Sequence, residues 1–132
     1  MMSAVLPDII DSDELLTRYI FHQALFNPNT GTVKPTVFTP HKDRNDLSVY
    51  RITGCSEPEI WELANNFVKP KDKTTLARAD TQAESYYKAG LRIVSLKTPH
   101  IRHANVENWP LDRDDRNEIR RQLSEASRLY VK

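Results

Sequence analysis

The segment Gly54-Cys55-Ser56-Glu57-Pro58-Glu59 constrains the chain more than any other, because it can open only one kind of element. Ser56 and Glu59 are spaced as a capping box, and Cys55 faces Ile60 as a hydrophobic staple. Pro58 falls in the first turn, where its missing N–H is harmless. A helix is therefore predicted from here to about Phe67, with Ile60, Leu63, Ala64 and Phe67 as its buried stripe and Pro70 as its stop.

The other elements are placed around that helix. Asp11-Ser12-Asp13-Glu14 carries the same kind of capping signal, with Ile10 and Leu15 at staple positions, and Leu15, Leu16, Tyr19 and Ile20 recur at helical spacing. This predicts a helix over about 11–22, ended by the turn residues Asn27-Pro28-Asn29-Thr30-Gly31. Thr36–Thr39 and Leu47–Ile52 are rich in β-branched and aromatic residues and read as strands on either side of a polar tip. Thr74–Ala79, a helix capped by Asp80 or Thr81 and stopped by Gly90, and Leu91–Leu96 read as a strand, helix, strand unit with one right-handed crossover. Lys97–Pro110 shows no period, and Asp112 caps a last helix to about Tyr130 with Ile119, Leu123, Ala126 and Tyr130 in one stripe. The expected fold is a single α+β domain over residues 1–132. It has a mixed sheet of about four strands, one parallel crossover and about four helices, with residues 1–10 loosely packed.

Charge and composition exclude several classes. Nineteen Lys and Arg against eighteen Asp and Glu leave a formal charge of +1, too balanced for a general electrostatic grip on nucleic acid or anionic membrane. The basic residues Lys69, Lys71, Lys73 and Arg78, with the last helix, are the remaining nucleic-acid candidates, and nucleic acid is not the expected partner. No stretch approaches the roughly 18 apolar residues of a membrane helix. The opening Met1–Asp8 lacks a basic segment followed by a long apolar run, so no leader is expected. The single cysteine, Cys55, cannot form an internal disulfide, which fits a cytoplasmic protein. Three glycines in all leave no Gly-rich phosphate loop.

Six residues are candidates for a site. Arg51 shares a strand face with Leu47 and Val49, so its guanidinium either sits at an edge or strand end, where it snorkels to water or pairs with a nearby carboxylate, or clamps a phosphate or carboxylate in bidentate fashion. Arg102 is a second cation for that clamp. His103 and His41 are candidate general acids or bases because histidine titrates near neutral pH. Asn105 and Trp109 lie in the Pro99–Pro110 run, which is dense in hydrogen-bonding side chains, and either face a ligand or satisfy the loop's own backbone. His100 and His103 bring two imidazoles together, but a zinc site wants three or four ligands and nothing fixes Cys55, His41 or Asp43 beside them. No metal or other cofactor is expected. No Gly-x-Ser-x-Gly elbow is present, and Cys55 reads as a staple residue, so covalent catalysis is not expected.

Leu47-Ser48-Val49-Tyr50-Arg51, Glu59-Ile60-Trp61, Ala77-Arg78-Ala79-Asp80 and Arg102-His103-Ala104-Asn105-Val106 with Trp109-Pro110 together resemble a family of short uncharacterised bacterial proteins. The resemblance spans most of the chain after residue 15. It implies a bacterial cytosolic protein and carries over no catalytic residue, cofactor or reaction. Two functional expectations follow from the residues themselves. The first is a small binding module acting through a protein partner. The second is a small enzyme or ligand sensor for a phosphate-bearing compound, with Arg51 and Arg102 as anion clamp and His103 or His41 as acid or base.

Overall fold

The computed structural model describes residues 6–132. Half of the segment expected to be loose, residues 1–5, lies outside the described residues. Of the remainder, Ile10 is buried and the Pro7 carbonyl accepts a hydrogen bond from Arg51.

Among the described residues, eight strands and three α-helices follow one another: β1 (Leu15–Ile20), β2 (Phe26–Asn27), β3 (Thr32–Val33), β4 (Leu47–Arg51), α1 (Glu57–Leu63), β5 (Ala77–Gln82), α2 (Ala83–Lys88), β6 (Arg92–Ser95), β7 (His103–Glu107), α3 (Arg113–Ala126) and β8 (Arg128–Val131). Six of the strands form one sheet in the order β6-β7-β4-β1-β5-β8, every neighbouring pair antiparallel, and β2 and β3 pair separately.

This corrects the expected mixed sheet of about four strands. β5 and β6 do run in the same direction with α2 between them, but three strands separate them, so the crossover makes no parallel pair. The predicted first helix is β1, the central strand. Its Leu16 and Ile20 face one core while Thr17 and Tyr19 are buried on the other side. A strand covered on both faces loses its alternation and reads as a continuous apolar run, which the eye fits equally well to a helix. The predicted strand at Thr36–Thr39 is a 3₁₀ turn over Pro35–Phe38.

Three further boundaries move. Within the segment expected to have no period, His103-Ala104-Asn105-Val106-Glu107 is β7, with Ala104 and Val106 buried between more exposed neighbours, a two-residue period. The last helix stops at Ala126, where Ser127 turns extended, and Tyr130 belongs to β8. α2 starts at Ala83, because Asp80 and Thr81 are still paired in β5. The capping box of α1 forms as read, the Ser56 hydroxyl accepting from the Glu59 N–H and the Glu59 carboxylate from the Ser56 N–H. A π-helical stretch, Ala64–Val68, continues the helix to the expected end.

One sheet face packs Leu16, Ile20, Val49, Ala79 and Val106 against Tyr86 of α2, Leu123 of α3, and Val37 and Phe38 of the 3₁₀ turn. The other face packs Tyr19, Tyr50 and Ile52 against Ile60, Leu63 and Ala64. Among the described residues no helix is long and apolar enough to cross a membrane.

Candidate functional site

The hydrogen-bond ladder between the two central strands opens early. β1 and β4 are in register at Leu16–Arg51 and Thr17–Tyr50 and part beyond that point. The side chain of Arg18 enters the opening: its Nε donates to the Val37 carbonyl at 3.0 Å and its Nη1 to the Ser48 carbonyl at 2.9 Å. A cation thus replaces ladder bonds, meeting the rule that buried carbonyls find donors.

Arg18 brings a charge as well as donors. Burial lowers its pKa, and among the described residues the opposing influence is the Tyr86 hydroxyl. Among the described residues no aspartate or glutamate forms an ion pair with it. Its Nη2 has no hydrogen-bond acceptor there either. A cation partly withdrawn from water without a counter-charge is less favourable than one that an anion meets.

Beside the guanidinium lies a cavity of about 170 Å³, lined by Thr17, Tyr19, His22, Thr36, Ser48 and Tyr50 among others. Antiparallel alternation sets which backbone groups face it. The Leu15 carbonyl points at β4, where it accepts from the Ile52 N–H, and the Ser48 carbonyl points back at β1 to meet Arg18. The same alternation turns the N–H groups of Tyr19 and Ser48 toward the opening. Two backbone amides are thus turned toward the opening that the Arg18 side chain enters.

On the Tyr50 side of the cleft, Ser48 Oγ lies 2.7 Å from His103 Nε2, and His103 Nδ1 is hydrogen-bonded to the Thr98 carbonyl. A carbonyl only accepts, so Nδ1 carries the proton and Nε2 is the acceptor for the Ser48 hydroxyl. The Tyr50 ring stacks on the imidazole, centroids 5.0 Å apart. Burial raises the Tyr50 pKa, so its hydroxyl stays protonated.

The residues singled out from the sequence fall in several places. Arg51 is 1% exposed and makes a bidentate pair with Glu14, Nε to Oε1 at 2.7 Å and Nη2 to Oε2 at 2.9 Å, on the face opposite His103. Arg102 Nη1 donates to the Arg51 carbonyl, and Arg102 borders a second cavity of about 200 Å³ with Cys55, Glu59, Phe67 and His100. Burial, then the Arg102 charge, lowers the His100 pKa, and burial raises that of Cys55. His41 Nδ1 accepts from the backbone of Asp43 and Arg44 within its own exposed loop. Asn105 donates to Asp46, and Trp109, buried, donates to the Val106 carbonyl. Arg51 and Arg102 are thus neighbours, His103 is brought to Ser48, and His41 stays in its loop. Among the described residues no cluster of three His, Cys, Asp or Glu is placed to hold a metal ion.

Arg78, a nucleic-acid candidate on sequence, is enclosed: it pairs with Glu57 and Asp80 and lies between the Trp61 and Tyr130 rings. Arg18 and Ser48 were not among the sequence candidates. Read as a strand, Leu16, Arg18 and Ile20 share one face, the same signal that marks Arg51; reading residues 11–22 as a helix hides it. For Ser48 no local signal exists, since its partner is 55 residues away.

No family model, curated protein or solved structure matches the chain.

Proposed function

We propose that this domain binds a small oxyanion compound, phosphate-bearing or carboxylate, in the cleft between β1 and β4. The observation that carries the reading is Arg18, a part-buried cation with no carboxylate partner, one guanidinium nitrogen unpaired and a cavity beside it. The ligand is small because the cleft is. Its charge supplies what Arg18 lacks, and Nη2 with two backbone amides gives an oxyanion more than one donor. Arg51 serves differently in this reading: matched to Glu14, it holds the N-terminal segment against the sheet.

A ligand that binds only the folded state raises the melting temperature, by about 2.7 kcal/mol in stability at a hundred times its Kd. Phosphate and acetate, compared with chloride at equal ionic strength, are expected to raise it in the parent and not in Arg18→Met. Equal melting temperatures in all three salts would remove the reading.

A second reading, action through a protein partner, is supported by the end strands β6 and β8, each of which, among the described residues, pairs on one side only. Recovery of the protein alone from cells under gentle conditions would count against it. With Cys55 a free thiol, we place either activity in the cytoplasm.

A further inference from the structure

Taking the cleft as an oxyanion site, we propose that Ser48 and His103 are the nucleophile and general base of an esterase centre acting on small carboxylic esters. Three parts of such a centre are in place. The nucleophile is within hydrogen-bond reach of the base, Oγ to Nε2 at 2.7 Å. The Thr98 carbonyl fixes the tautomer that leaves Nε2 free to accept a proton. Ser48 and Tyr50, which flank the base, also line the cleft beside Arg18, and strand alternation turns the Tyr19 and Ser48 amides toward that opening. This is the arrangement of nucleophile, base and orienting group that activates a hydroxyl. Both side chains stand on paired strands, which hold them in place.

The chemistry balances without a cofactor. Ser48 Oγ bonds to the ester carbonyl carbon as its proton passes to His103 Nε2, and the carbonyl π pair becomes an oxyanion facing the cleft donors. Collapse breaks the bond to the alkoxy oxygen, which leaves as the alcohol with the proton from His103. Water, giving a proton to the same nitrogen, then attacks the acyl-Ser48 carbonyl, and that proton returns to Ser48 Oγ as the acyl bond breaks. The products are an alcohol and a carboxylic acid that ionises in water. The acid's carboxylate is an oxyanion of the class the cleft is built to hold.

The test is covalent. An alkyl fluorophosphonate reacts with an activated serine by forming an Oγ–P bond and releasing fluoride, and the adduct is located by peptide mass mapping of the intact, folded protein. One adduct is expected, on Ser48, absent in Ser48→Ala, slowed by about 10²-fold or more in His103→Gln, and slowed in the parent by acetate or phosphate. Failure of the parent to label at Ser48 overturns the proposal, whatever the variants do. So does labelling of a folded His103→Gln at the parent's rate. The melting temperatures in acetate and phosphate report the anion reading separately. A rise without labelling keeps the anion site and rejects the esterase, whereas Ser48 labelling without a rise keeps the nucleophile and removes the anion reading.

Discussion

Arg78 and Arg18 lie on neighbouring strands and opposite faces of the sheet, yet their charges are handled in opposite ways. Arg78, 2% exposed, is bonded to Glu57 and Asp80 and sandwiched by two aromatic rings. Among the described residues, Arg18 donates to two carbonyls beside a cavity. Arg51, with its bidentate Glu14, belongs with Arg78. An internally matched arginine ties elements together, here α1, β5 and β8 around Arg78, and offers nothing to a ligand. An unmatched one stabilises little by its charge and keeps that charge available for an anion from outside.

The largest expected effect separates the two kinds. Arg78→Ala leaves Asp80 buried without its cation, and removing one member of such a pair costs about 3–5 kcal/mol. Denaturant unfolding should show a loss of that size with the phosphate-induced rise in melting temperature retained, provided the variant is measured below its own transition. A loss under about 1 kcal/mol would mean that Asp80 finds water, and the contrast with Arg18 would fail.

Arg18→Met should cost less, about 1–2 kcal/mol, because two carbonyls lose their donors while a poorly matched charge is removed as well. The same unfolding curves give the figure, and here the anion response disappears. A loss as large as that of Arg78→Ala would show that the guanidinium is chiefly a brace between β1 and β4.

The smallest effect is one of pH. Hydrogen bonds from Arg78 hold Glu57 below its ordinary pKa of 4.5, against a smaller opposing effect of burial. A carboxylate depressed in the folded state adds stability that is complete above its ordinary value and is lost as pH falls through the depressed one. Asp80 has the opposite sign, since burial raises its pKa despite Thr17 and Arg78. Glu57→Gln should therefore flatten the loss of stability below pH 4.5, by a few tenths of a kcal/mol given the exposure of that carboxylate. Urea midpoints across the acid range measure it. An unchanged acid limb would show that the exposed half of the Arg78 pairing contributes nothing.

Legibility from sequence follows the range of the interactions. The capping box at Ser56 and Glu59, the stop at Gly90 and the Asp112 cap of α3 each rest on contacts within one helical turn, and all three form. β4 is legible because Leu47 and Val49 alternate with half-buried or aromatic residues. β1 is not, because covering both its faces erases the alternation. The two-residue period of β7 was present but short, and the polar residues around it read as loop.

The site divides in the same way. That Arg51 shares a buried face was readable from its own strand, and the carboxylate option weighed for it is the contact present, with Glu14. The bond from Ser48 to His103 depends on the register of β4 against β7, and the exposure of Arg18 to a cleft depends on where β1 and β4 part. The sequence by itself determined the starts of α1 and α3, the stop of α2 at Gly90 and the charge balance, since those are set by neighbours along the chain. Strand order, the all-antiparallel pairing and the unmatched charge of Arg18 were decided only by tertiary structure, because each is a relation between segments that the chain brings together from tens of residues apart.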